Sequence, residues 1–403
     1  MNTKLEEIFE EYIVIFKELR KDINELNSSY EYEKKFNKIL KDFGQLVYQS
    51  MIGEVPKSKN ERTTILTSHG KIRFPKHHPL CTAPGGFKIS PYLQEHLSRV
   101  GTKMIFEEAS EEIERLMGIE VNAKQIERLC HYYGDKLEQV DWREAYNDCV
   151  QLKMPIQDQI VYGMIDGSMI LTRQKGESWK EVKLCRIFHA NERVEGMSKD
   201  RNYLGKSHYI AHLGGHKDFF EKVIEALPTQ IPLVFICDGA KWIWNWIEEH
   251  YPNSTQILDL FHCKGHLYAF AKLLYPKDDE LAEEWVNGCI DALMGQKVDE
   301  LLKNIAGLEC YGKSIEKSRK SLYNYLNSNK KRINYGCFKE KGLLIGSGAI
   351  ESAHRTVIQK RMKLSGQRWT ISGAQQMLNL RACYKSGKES KLLNIINGYK
   401  MAA

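Results

Sequence analysis

Apolar side chains recur every three or four positions from Leu5 to Leu26, through Ile8, Phe9, Tyr12, Ile15, Phe16, Leu19 and Ile23. That spacing lines one face of a helix. Phe36, Ile39, Leu40, Phe43, Leu46 and Val47 make a second stripe. Together the stripes predict an N-terminal helical region over 1–53, its helices packed on each other or on a second copy of the chain. From 54 to 105 the pattern breaks around Pro56, Pro75, Pro79, Pro84, Gly85, Gly86 and Pro91, which reads as a loop-rich linker or small module. Over 106–150, Ala109, Ile113, Leu116 and Met117 face inward, Gly118 breaks the helix and Asn122 caps the next. Ile126, Leu129, Cys130 and Tyr133 then face inward up to Gly134, which ends the second helix. Two short helices about a glycine turn outline a helix-turn-helix.

After Pro155 the period changes to that of strands. "DQIVYGMIDGSMIL", "KEVKLCRIFHA" and "HYIAHLG" read as three strands in succession, the first ending near Asp166. A helix over Lys217–Leu227 follows. The unbroken apolar run Leu233 to Cys237 then suits a strand covered on both faces. A tryptophan-rich helix, the short strand "TQILDLFH" and a helix from Lys264 to Tyr275 complete this part. Strands followed by alternating helix and strand predict an α/β fold, a mixed sheet flanked by helices. Its first part is 151–275, a helical insertion occupies 276–341, and 342–403 supplies the last part. Trp242, Trp244 and Trp246 read as core packing rather than base stacking.

Charge and composition narrow the function. Net charge is +7, but residues 341–403 hold 11 Lys and Arg against 2 Asp and Glu, so everything before them sums to −2. A basic terminal block on a balanced chain predicts a polyanionic partner. The 10 cysteines are scattered without a CxxC pair, which argues for reduced thiols over a disulfide framework or zinc ribbon. His77, His78 and Cys81 make an incomplete metal set lacking an evident fourth ligand. No apolar run approaches the roughly 18 residues a bilayer needs, and the acidic start does not resemble a secretory signal. The expectation is a cytoplasmic protein without a membrane partner. The "GKS" at Gly205–Ser207 has Asp200 where a phosphate loop needs glycine.

The chemistry concentrates in acids at strand ends. Asp166 in "MIDGSMI" and Asp238 in "ICDGAKW" repeat one pattern of apolar strand, Asp, Gly. An aspartate at a strand's carboxyl end sits where open α/β sheets place ligands; read singly, Asp238 is as well explained as a helix cap. Neighbouring strands would bring the two carboxylates together, at a repulsion of about 1 to 4 kcal/mol. A hard divalent cation, Mg²⁺ or Mn²⁺, offsets that repulsion, and two per active site can activate an attacking oxygen and steady a leaving one on a phosphodiester. Glu351, in the first helical turn after "GSG", is the expected third carboxylate. His354, Arg355, Lys360, Arg361, Lys363 and Arg368 follow it and are expected to contact a nucleic-acid backbone. Lys124, Gln125 and Arg128 on the second helix-turn-helix helix are expected to face a DNA groove. Trp285, inside the insertion, is a candidate for stacking on an unpaired base.

The order Asp166, Asp238, Glu351 with a helical insertion before the glutamate resembles the DDE transposases of bacterial insertion sequences, which have an RNase H-like catalytic core. Within them, "DGAKWIW…YP…ILDLFH" and "GSGAIES…RMKLSGQRWTISGAQQMLNLR" look like the ISKra type, a resemblance covering about residues 100 to 386. It implies metal-dependent DNA hydrolysis at terminal inverted repeats and attack of the freed 3′-OH ends on target DNA. It implies further an Asp-x-x-His element at Asp259 and His262, with His262 at the site, and a homodimer or higher oligomer on double-stranded DNA. The paired cysteines that some members carry near His77 to Cys81 are missing. Two rival readings stay open: a domesticated, catalytically silent DNA-binding protein, and an RNase H-like nuclease.

Overall fold

The computed structural model describes residues 28–139 and 160–398, apart from 83, 177, 196–201, 229 and 230, together with Ile13 and Lys17. The stripe from Leu5 to Leu26 therefore lies outside the described residues, as do 140–150 of the helix-turn-helix region. The chain divides into two compact units, Met1–Tyr132 with Leu392–Ala403, and Tyr133–Lys391.

In the smaller unit, α1 (Ser29–Met51) lies along a hairpin of β1 (Arg62–Thr67) and β2 (Gly70–Pro75). The hairpin falls in the stretch that reads as a loop-rich linker or small module. Its apolar positions, Ile65, Ile72 and Phe74, are buried beneath Tyr48 and Ile52. The Gln49 side chain donates to the Arg73 carbonyl at 3.0 Å and accepts from the Arg73 amide at 2.8 Å. Leu46 is 66% exposed, and Phe36, Leu40 and Val47 are exposed too; the Leu5 to Leu26 stripe expected to pack on them lies outside the described residues. The helix meets the hairpin through Tyr48 and its glutamines. α2 (Pro91–Gly101), α3 (Phe106–Met117) and α4 (Ala123–Glu138) follow. Gly118 ends α3 in the left-handed region at φ 60°, where glycine carries no Cβ penalty. Asn122 caps α4 through the Lys124 amide at 2.8 Å. Ala109, Ile113, Ile126, Leu129, Cys130 and Tyr133 are buried as the spacing predicts, whereas Leu116 points outward at 72% exposure.

The larger unit holds a five-stranded sheet in the order β7-β4-β3-β8-β9. The strands are β3 (Val161–Leu171), β4 (Trp179–His189), β7 (His208–Leu213), β8 (Leu233–Cys237) and β9 (Thr255–Leu258), with a small ribbon of β5 (Arg193–Glu195) and β6 (Asn202–Leu204) beside them. β4 runs antiparallel to β3 and β7, while β8 runs parallel to β3 and β9. This is the expected mixed sheet of the RNase H-like arrangement. Every residue of β8 is buried, which is why its sequence shows no alternation. One element differs in length: β3 does not end near Asp166 but pairs with β4 as far as Leu171 opposite Trp179. Only its parallel pairing stops early, at Ile165 opposite Cys237.

α5 (His216–Ala226) and α6 (Lys241–His250) supply aromatic packing, with Trp246 stacked on Phe220 at 4.1 Å between ring centroids. Trp244 and Trp246 are buried, in line with the core reading. α7 (Leu260–Leu274) leads into the insertion, whose helices are α8 (Asp279–Met294), α9 (Val298–Gly307), α10 (Lys313–Ser328) and α11 (Tyr335–Glu340). The chain returns through α12 (Gly348–Ala353), a π-helical turn His354–Gln359, α13 (Lys360–Met362), α14 (Ile371–Lys385) and α15 (Glu389–Ile396). α14 closes the sheet margin, because the Gln375 side chain accepts from the Leu213 amide at 2.8 Å and donates to the Ala211 carbonyl at 3.1 Å. Among the described residues no helix is long and apolar enough to cross a membrane.

Gly134 does not end α4. The helix runs on to Glu138, and a Cβ at Gly134 would lie 2.0 Å from the Gln376 carbonyl oxygen of α14. Gly134→Ala is therefore expected to lower stability by roughly 2 kcal/mol or more, although alanine favours helix by about 1 kcal/mol over glycine. Urea denaturation of the variant checks this, and an unchanged or higher midpoint contradicts it.

Candidate active site

The pairing of β3 with β8 decides where the two aspartates stand. With Ile165 opposite Cys237 in parallel register, Asp166 and Asp238 are the next residues on adjacent strands. Asp238 is half-buried, and burial raises its carboxyl pKa. The Asp166 and Glu181 charges push it the same way, against the Ala240 amide, which donates at 3.0 Å, and the His262 charge. Asp166 accepts from the Gly167 amide at 2.7 Å and faces His354, whose Nε2 lies 3.1 Å from its Oδ2.

The segment that delivers Glu351 is pinned from several sides. Tyr162 of β3 accepts from the Leu344 amide at 3.2 Å, and the Leu260 amide donates to the Ile345 carbonyl at 3.0 Å. The buried Asp259 carboxylate accepts from the Ser347 amide at 2.7 Å and, as cap of α7, from the His262 amide at 2.8 Å. Arg186 of β4, also buried, donates to the Ala349 carbonyl at 2.8 Å and to the Ser207 hydroxyl. Glu351 is exposed on α12, which packs on β3 and β4. Among the described residues, no three acids, histidines or cysteines are gathered closely enough to hold a metal ion. The two aspartates form a pair, and Glu351 stands on the helix whose next turn brings His354 to Asp166. Hard oxygen donors that repel each other suit a divalent cation. The His77, His78 and Cys81 group makes no metal set either: the Cys81 thiol donates to the Pro75 carbonyl and the His78 ring lies 4.8 Å from that of Phe74.

Past Ala353 the helix widens. A π-helical turn changes the angular step, and the Arg381 guanidinium donates to the carbonyls of Thr356 and Val357. Arg381 is buried, which lowers its pKa to about 10. Two expectations are corrected. His354 is buried against Asp166 and is not available to a DNA backbone. Arg361 is 1% exposed and lies over the Trp369 ring at 5.3 Å, so it belongs to the core. Arg355, Lys360, Lys363 and Arg368 are exposed, and the Lys363 ammonium reaches the Ser168 hydroxyl of β3. In the smaller unit Lys124, Gln125 and Arg128 are exposed on α4, with Lys124 paired to Glu127 at 2.6 Å. Trp285 is half-buried against Phe270, 5.6 Å between centroids, so α7 occupies part of its ring. His262 is not on a strand: it is exposed in the first turn of α7.

Two neighbours escape sequence reading, and the glycine after each aspartate is their signal. A Cβ at Gly167 would meet the Glu181 carboxylate at 2.3 Å, and one at Gly239 would meet Tyr325 Cε2 at 2.7 Å. Glu181 comes from β4 and pairs with buried Lys183 at 2.7 Å. Tyr325 comes from the insertion helix α10 and stacks on His266 at 4.0 Å, and His266 in turn lies 5.2 Å from His262. The insertion thus reaches the Asp238 edge.

No family model matches the chain. It is 24% identical over 356 residues to a Streptococcus gallolyticus protein described as the UPF0236 protein in the vanSb 3′ region, covering 83% of this chain and 74% of that one. Among solved structures it is similar to the Drosophila P element transposase strand transfer complex, at a TM-score of 0.36 and 8% identity, over 74% of this chain and 92% of that one. So slight a likeness does not define the fold; the strand order does.

Two outcomes are expected. Gly239→Ala should destabilise by about 1 to 3 kcal/mol by displacing the Tyr325 ring, and most of that cost should vanish in a Tyr325→Ala background. Additive costs in the double variant would contradict the contact. Because Asp238 has a raised pKa when folded, its ionisation opposes folding. Asp238→Asn in metal-free buffer should therefore be more stable than the parent at pH 7. That advantage should shrink as pH falls into the ordinary aspartate range, where the parent's carboxyl is protonated in both states; melting curves across pH decide.

Proposed function

We infer that the chain is a DNA transposase, cleaving DNA at terminal inverted repeats and joining the freed ends to target DNA. The observation that supports this reading best is the Asp166–Asp238 pair, side by side where the parallel pairing of β3 with β8 stops in an RNase H-like sheet. A helix bearing Glu351 and His354 lies packed across it. Asp166 and Asp238 would hold Mg²⁺ or Mn²⁺, with Glu351 completing the set. The cation, when bound, supplies charge stabilisation and an activated oxygen nucleophile on the scissile phosphate.

The chain's own residues have definite tasks in this reading. His354 orients the Asp166 carboxylate from a buried position, and Asp259 and Arg186 fix the start of the Glu351 helix. His262 offers a proton-carrying group beside Asp238. Arg355, Lys360, Lys363 and Arg368 lie along the DNA backbone, where phosphate contacts dominate affinity. Lys124, Gln125 and Arg128 read the repeats from the helix-turn-helix, and the oligomer that holds two DNA ends is at least a dimer. The buried His354 and Arg361 are assigned to the protein interior. The resemblance in the segments around Asp238 and Glu351 favours this reading over a general nuclease.

Asp238→Ala is expected to abolish nicking and joining of labelled terminal-repeat duplexes in Mg²⁺, a loss of about 10³-fold or more, while leaving affinity for the repeats nearly intact. Parent-level cleavage by that variant would sink the catalytic assignment. Loss of repeat binding along with cleavage would show a folding defect, which circular dichroism separates.

A further inference from the structure

We propose that the projecting end of the β3–β4 hairpin is a docking ribbon for double-stranded DNA. The proposal rests on the transposase reading and adds a surface to it.

The geometry comes from two ladders of unequal length. Parallel pairing of β3 with β8 stops at Ile165 opposite Cys237, and β7 leaves β4 at Val182 opposite Leu213. Antiparallel pairing of β3 with β4 continues to Leu171 opposite Trp179. A two-stranded ribbon therefore extends past Asp166, by roughly 17 Å at about 3.4 Å per residue.

One face of the ribbon is packed and the other is not. Ile170 is fully buried, and the Trp369 segment closes the ribbon's margin: the Trp369 amide donates to the Leu171 carbonyl at 3.1 Å, and the Arg173 amide donates to the Trp369 carbonyl at 2.8 Å. On the opposite face, the reverse of the one that carries Asp166, Met169 is 44% exposed and Trp179 58%, and Glu181 opposite Met169 is neutralised by Lys183 at 2.7 Å. Met169 and Trp179 share a face, because Trp179 stands opposite Leu171, two residues beyond Met169. Apolar side chains left outward on a ribbon rimmed by cations are suited to deoxyribose and groove walls rather than to water.

The cations converge from two parts of the chain. Arg173 and Lys175 are exposed at the tip, while Lys363 and Arg368 are exposed on the loop beside it. Arg173 Nε donates to the Arg368 carbonyl at 3.3 Å, and Lys363 reaches Ser168 on the ribbon. The loop and the tip are thus one cationic edge running away from Asp166. Glu177, in the same turn, lies outside the described residues. A phosphate backbone is the partner that such an edge complements.

The test is binding of the full chain to a labelled random-sequence duplex over a range of salt, without divalent ions. Arg173→Ala/Lys175→Ala should weaken binding about tenfold and reduce the slope of log affinity on log salt by about 2. Lys277→Ala/Lys303→Ala removes the same charge from exposed insertion positions and should leave the slope unchanged. Trp179→Phe should lose the part of the fluorescence quenching that duplex DNA causes in the parent. An unchanged slope in the tip variant, or equal losses in both double variants, overturns the ribbon. These readouts need no cleavage, so an Asp238→Ala variant that still cleaves would sink the catalytic reading alone. A parent chain without salt-dependent duplex binding would sink both.

Discussion

The register of β3 against β8 is the constraint on which the larger unit depends. Were Asp238 shifted by one residue, its side chain would turn to the opposite face of the sheet, away from Asp166. Alternation cannot hold that register, since every position of the run Leu233 to Cys237 is buried; the end of the run does, because a one-residue slip would carry the Asp238 carboxylate into the buried ladder. The next position on each strand is fitted to the result: both aspartates are succeeded by glycine, with Glu181 lying over one and Tyr325 over the other. Burial, and after it the charge of Asp166, makes the Asp238 carboxyl harder to ionise than an ordinary aspartate's.

Much of this architecture is legible in the residues. The lack of polar alternation in β8, the strand period of "KEVKLCRIFHA" and the glycine at Gly118 each name a local geometry. Asp166, Asp238 and Glu351 stand out by their combination, since each alone has an ordinary structural reading and two repeats of apolar strand, Asp, Gly followed by an acid after a glycine-rich entry do not. The length of β3 is not legible, because the pairs from Asp166 to Leu171 depend on hairpin partners and not on burial alternation. Nor is the inward turn of Arg361, which follows from a change of helical step that a uniform period cannot anticipate. Gly134 reads as a helix end by its backbone freedom, yet it is set by the closeness of Gln376. The amide contacts of Gln49 on the hairpin are not legible in the apolar stripe of α1. Tyr325 lies far from Gly239 in the chain, so only the glycine hints at it.

The Glu351 helix is held by polar contacts more than by apolar burial. Asp259 caps α7 and binds the Ser347 amide with its other oxygen, while Arg186 takes the Ala349 carbonyl from within the sheet. Buried polar groups that are fully bonded impose one geometry, because any displacement leaves a charge unpaired in a poor solvent for it.

The glutamine that closes the sheet margin has a consequence further along its own helix. Gln375 presents one donor and one acceptor to β7 in fixed order, so α14 can settle at a single height along the strand. Arg381 rides the same helix about 9 Å higher, where it meets the two carbonyls that the widened turn leaves over. The edge of the sheet thereby acts as a vernier: sliding α14 by one residue would strip that turn of its guanidinium and favour rewinding it. The direction in which Lys360 and Lys363 emerge is in this sense measured out from β7.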